Sequence, residues 1–146
     1  MNSFNFTPEL HLIALIGVVL YFIISCILKT YYIFSLRKTN HFLRQEISEW
    51  ALWLILIPVV GSVLMGIFSS IIAYQTKNVF IYNRINRKTG LEIAVAMTIS
   101  VALAVCGLII FGAVAYIFMI WFWFVMKKNN DLLKSYHDVG NLKFPY

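Results

Sequence analysis

The sequence predicts an all-α fold, a single transmembrane helical domain over residues 1–146, and three observations predict it. Apolar residues make up 61% of the chain and charged residues only 12%, about half the share of roughly 25% usual in soluble domains. The apolar residues gather in three long runs, about 10–28, 50–74 and 93–126. All 12 Lys and Arg residues lie outside those runs. A chain this short has too much surface for its volume to hide so much apolar area, which makes lipid its natural solvent.

The first run, Leu10 to Leu28, contains no charge, and its helix start is legible. Thr7 is a candidate N-cap, Pro8 suits the first helical position and Glu9 complements the positive end of the helix dipole. The residues before it include no Lys or Arg, and no small-residue cleavage site follows, so it is expected to be retained and not removed as a signal peptide.

The second run, Trp50 to Tyr74, would stretch roughly 37 Å as one helix, enough for a bilayer core of about 30 Å with some tilt. Pro58 and Gly61 should bend it, since proline removes a donor and crowds the carbonyl four residues back.

The third run, Ile93 to Met126, would stretch roughly 51 Å, more than one crossing needs. Either a span of about Ser100 to Trp121 lies within it, or the chain folds back near Gly107 or Gly112. One long helix is the expectation, because a turn inside lipid leaves backbone groups unpaired and no Asn, Asp or Pro marks one. Thr89 and Glu92 have capping-box spacing, and Gly90 is placed to end the preceding helix, with Arg87 and Lys88 at its negative terminus. Trp121 and Trp123, beside Lys127 and Lys128, resemble half of an interfacial aromatic belt.

Charge then orients the chain. The first connection carries Lys29, Arg37, Lys38 and Arg44, the second Lys77, Arg84, Arg87 and Lys88, and the tail (127–146) Lys127, Lys128, Lys134 and Lys143. A basic flank after the first run puts the N-terminus outside. Three spans then leave eight basic residues inside and four outside, as do four spans with the N-terminus inside. Were both later runs membrane hairpins, all 12 would be inside. Each version has a cytoplasmic tail.

Several functional classes lose support at this level. The net charge of +6 accompanies no helix-turn-helix, knuckle or basic–aromatic strand pattern, so nucleic acid is not an expected partner; the bilayer is. Arg37, Lys38, Arg44, Lys127 and Lys128 are the expected head-group contacts. Cys26 and Cys106 read as small packing residues, and His11, His41 and His137 stand far apart, so no metal site, cofactor or catalytic group is expected. Asp, Glu, Lys and Arg are absent from the runs, which disfavours ion-coupled transport. Ser69, Ser70, Thr98 and Ser100 could line a channel, but the expected role of such hydroxyls is to bond carbonyls of their own helix. The offset of 51 residues that relates Gly61-Ser62-Val63 to Gly112-Ala113-Val114 is read as a coincidence of biased composition.

The positive signal is helix packing. Ser62, Gly66 and Ser70 recur every four residues in the second run, and Ala94, Thr98, Ala102 and Cys106 in the third, beside Ala96, Ser100 and Ala104. Such stripes let helix backbones approach closely where lipid offers no hydrophobic drive to association. Residues 29–47 are amphipathic, with Tyr32, Leu36, Leu43 and Ile47 among the cations and Glu46 and Glu49 near the next run. The expected function is that of a non-enzymatic small membrane protein acting through helix packing, as an accessory subunit in a larger membrane complex or as a self-associating module forming a homo-oligomer. A pore-forming or permeabilising protein of the holin kind is the alternative, and a small membrane-embedded enzyme the second. The expected location is a multi-pass position in a bacterial cytoplasmic membrane, N-terminus outside and C-terminus cytoplasmic.

Overall fold

The computed structural model describes residues 8–44, 47–108, 110–140 and 142–144, and among them there is no strand. Five helices form: α1 (Pro8–Phe42), α2 (Glu49–Trp53), α3 (Val60–Tyr82), α4 (Leu91–Val105) and α5 (Ile110–Asp138), with a 3₁₀ turn at Leu54–Leu56 between α2 and α3. Pro8 opens α1 as its type favours. Thr7, the Glu9 side chain and Glu46 lie outside the described residues.

The second run is not one bent helix. α2 and the 3₁₀ turn climb antiparallel to α1, with Glu49 paired to Arg37 at 2.7 Å and Trp53 edge-on to Phe34. Pro58 then ends the climb and the chain reverses into α3. The reversal forces Val59, a β-branched residue, to φ 49°, and it brings the backbone of Gly61 against the carbonyls of Leu54 and Ile55, where no Cβ would fit.

The third run is likewise two helices, so the expected single helix gives way to the fold-back near Gly107. α4 ends in a Schellman motif: Leu108 N–H donates to the Leu103 carbonyl and Gly107 N–H to that of Ala104, with Gly107 at φ 102°. These bonds pair the Gly107 and Leu108 amides and two end carbonyls of α4, which lowers the cost that argued against a turn here. α4 and α5 pack as a hairpin, Gly90 beside Phe122 and Val125 at one end and Gly112 beside Ala104 at the other.

The capping box at Thr89 and Glu92 does not form; Gly90 itself is the N-cap of α4, at φ 80°. Nor does Gly90 end the preceding helix. α3 stops at Tyr82, with Arg84 in the left-handed region and Ile85 N–H returning to the Phe80 carbonyl.

Side-chain contacts give the directions. Ser25, Tyr32, Thr39 and Phe42 of α1 meet Tyr116, Phe122, Asn130 and His137 of α5 in the same order, so these helices are parallel. Lys29 and Tyr32 meet Ser62 and Ser69, which makes α3 parallel to them. The two stretches related by 51 residues therefore occupy matching places, each in the first turns of a helix that follows an apolar reversal. A core of Tyr32, Leu36, Leu52, Ile72, Phe80, Met97, Phe122 and Leu133 joins the helices.

The bundle has two unlike ends. At one end the first connection, the second connection and the tail are tied together. Asn83 donates to the Lys143 carbonyl at 2.7 Å and accepts from its N–H at 3.0 Å, and the Arg44 guanidinium lies 4.2 Å over the Phe144 ring. Asn40 holds Ile47 through both backbone groups, and Thr39 donates to Asn130. At the other end both reversals are apolar and uncovered: Val59, Val60, Val105, Leu108 and Ile110 are exposed. Beyond them α1 continues alone. Its large apolar residues from Leu10 to Leu20 are each 48–67% exposed, with no buried face among them.

Candidate functional site

The small-residue stripes resolve into two kinds of position. Gly66 and Ser70 of α3 face Thr98 of α4, and a Cβ on Gly66 would come within 2.9 Å of the Thr98 Cα. Ala94 is fully buried beside them, whereas Ala102 and Cys106 are exposed toward the turn. Thr98, Ser69 and Ser100 each donate to the carbonyl four residues back, the ordinary behaviour of hydroxyls in apolar helices. Cys26 is half-buried. Among the described residues no three His, Cys, Asp or Glu side chains come together as metal ligands.

Arg37, Lys38, Arg44, Lys127 and Lys128 are all exposed toward the tied end. Trp121 and Trp50 are exposed, Trp53 less so, and Trp123 is half-buried. Trp50 and Trp53 flank α1 at the height of Arg37 and Phe34, and Trp121 neighbours the Phe122 that meets Tyr32, so the indoles girdle the bundle just above its basic end.

The polar group that sequence reasoning did not single out is Lys29. It was counted with the first connection, but α1 continues unbroken to Phe42 and carries Lys29 into the bundle, where it is only 4% exposed. Its ammonium donates to the Ser62 hydroxyl at 3.2 Å. Ser62 lines a cleft of about 370 Å³ with Tyr21, Met65, Val101, Ala104 and Tyr116. On the same side the Tyr116 and Ser25 hydroxyls are 2.5 Å apart and Tyr21 meets Tyr116 edge-on. The legible signal was the spacing: Ser25 and Lys29, four apart, lie on one helix face with Tyr21 and Tyr32.

A hydroxyl beside a buried amine has the form of a nucleophile and base. The oxyanion donors such chemistry needs are lacking beside Ser62, however. The N–H groups of Gly61, Ser62 and Val63 are already taken by the carbonyls of Ile57 and Val59. The arrangement is suited to holding a charged group, not to attacking one.

Among the described residues the chain is thus all-helical, with two helices long and apolar enough to cross a membrane, α1 and α5, and a shorter apolar helix, α4. No protein-family model, curated protein or solved structure matches it.

Proposed function

We propose that this is a non-enzymatic membrane interaction protein in which α1 alone crosses the bilayer, N-terminus outside, while the two apolar reversals dip into lipid from the cytoplasmic side. The contact of Asn83 with the Lys143 backbone carries this reading. The second connection and the tail touch, as do Arg44 and Phe144, which supports a reading in which all three basic segments lie on one side of the membrane. The 3₁₀ turn and α2 are too short for anything else. Their eight residues rise roughly 12–16 Å against a core of about 30 Å. On this reading the cations other than Lys29 collect at the cytoplasmic face, in keeping with the positive-inside tendency, and the indole girdle marks the interface.

The function then resides in the outer half of α1. Lipid covers an apolar helix as well as protein does, but the large apolar side chains from Leu12 to Leu20 are each about half exposed or more, and a Cβ added at Gly17 would meet nothing within 4 Å. We assign it the role of docking element, for a second copy or a larger membrane complex. A photo-crosslinking residue at Ile16, activated in native membranes, tests this. A product of twice the monomer mass supports self-association and a discrete heavier product an accessory subunit. Crosslinks to lipid alone would refute the interaction role. The permeabilising alternative is disfavoured by the burial of apolar Met65, Met97 and Met119 between α3, α4 and α5.

A further inference from the structure

Lys29 has one hydrogen-bond partner, and that partner is neutral. Neither the Arg37–Glu49 nor the His137–Asp138 ion pair involves Lys29. The other lysines with described side chains are exposed. A buried cation is costly unless an anion comes to it, and at membrane depth such a residue marks a binding site.

We propose that the cleft lined by Ser62 and Tyr116 binds an anionic amphiphile, its carboxylate or phosphate held by those two hydroxyls with the Lys29 ammonium one hydrogen bond behind Ser62, and its acyl chain laid against Met65, Val101 and Ala104. Ser62 accepts the ammonium proton, which leaves its own hydroxyl proton to donate toward the cleft. The Tyr116 and Ser25 hydroxyls, paired at 2.5 Å, need only one of their two protons for that bond. The remaining wall is apolar, as an acyl chain requires, and its rim at Val59 and Val105 is exposed, so a ligand enters sideways from the surrounding lipid. The volume of about 370 Å³ is near the lower end of the 300–1,000 Å³ typical of small-molecule sites, which suits one chain better than two. A free fatty carboxylate and a phospholipid phosphate both present this chemistry. The site exists whether or not α1 docks a partner.

The test is native mass spectrometry of the purified full chain in a neutral detergent, with palmitate, hexadecanol or phosphatidylglycerol added separately. A one-to-one palmitate adduct is expected, with hexadecanol, which has the chain but no charge, binding far less. Lys29→Met should weaken the adduct on the order of tenfold or more, and Lys29→Arg should largely retain it. Gly112→Leu fills the cleft independently of Lys29. A Cβ there meets only the Ala104 methyl, at 3.9 Å, an ordinary contact, and a melting temperature matching the parent's checks that the fold is kept while the ligand is displaced. Lys134→Met, at an exposed position on α5, should bind as the parent does. Phosphatidylglycerol adducts with the same dependence on Lys29 and Gly112 would assign the anion to a lipid phosphate. Equal binding of hexadecanol and palmitate, or binding unchanged by Gly112→Leu, would overturn the proposal.

Discussion

Gly66 of α3 and Thr98 of α4 pack backbone to backbone, close enough that a single added Cβ would lie 2.9 Å from both the Cα and the Oγ1 of Thr98. The contact is intramolecular, and it shows what the four-residue stripe in the second run does: it lets α3 sit against the hairpin that follows it. Gly66→Leu should therefore destabilise the fold by about 1–3 kcal/mol, the usual range for overpacking. Ile67→Phe, on the exposed neighbouring face, should change little. Detergent melting curves of the two variants check this, and matching curves would mean that α3 and α4 do not rely on this approach.

Asn40 is a buried side chain with a turn hung on it. Its Nδ2 donates to the Ile47 carbonyl at 2.6 Å and its Oδ1 accepts the Ile47 N–H at 3.2 Å. Asn40→Ala leaves two backbone groups unpaired in a buried place, at a cost of about 1–3 kcal/mol. The first connection should become protease-sensitive as a result. Arg37→Ala breaks an exposed ion pair worth at most about 1 kcal/mol and should leave proteolysis nearly unchanged.

Asn83 joins the second connection to the tail by two bonds to Lys143. Asn83→Ala should free the tail without melting the bundle, because both bonds are at the surface and the core lies elsewhere. Faster amide exchange or tryptic cleavage after Lys143, with an unshifted melting temperature, is the expected pair of results.

Ion flux is expected to be absent. Met65, Met97 and Met119 fill the region between α3, α4 and α5, and the hydroxyls of Ser69, Ser70, Thr98 and Ser100 are spent on carbonyls of their own helices or on one another. Liposomes holding the purified protein should leak no faster than empty ones. A robust leak abolished by Ser70→Leu would assign a pore instead.

Helix content and the position of the apolar material were legible in the sequence because composition alone sets them. The break points were not. Pro58 was visible as a kink, but whether a proline bends or reverses a chain depends on what receives the next residue, here Gly61 against the carbonyls of Leu54 and Ile55. Gly107 was visible too, yet its effect rests on the Schellman bonds to Leu103 and Ala104, which form only once Leu108 turns back. Lys29 was hidden for a different reason. At the end of an apolar run a lysine reads as a boundary, and only the continuation of α1 to Phe42 carries it inside. The stripe at Gly66 was readable directly, since close approach needs a small residue wherever it occurs.

The side of the membrane on which Asn86 lies tests the central claim most directly. In a protein with Cys26→Ala and Cys106→Ala, a cysteine is placed at exposed Asn86 in the second connection and, separately, at exposed Gly140 in the tail. Each is treated with a membrane-impermeant maleimide in intact cells and in inverted vesicles. Both positions should label in inverted vesicles and neither in intact cells, because Asn83 and Lys143 hold these segments together on one side. Labelling of Asn86→Cys in intact cells, with Gly140→Cys still protected, would place a complete crossing in each later run and contradict the account.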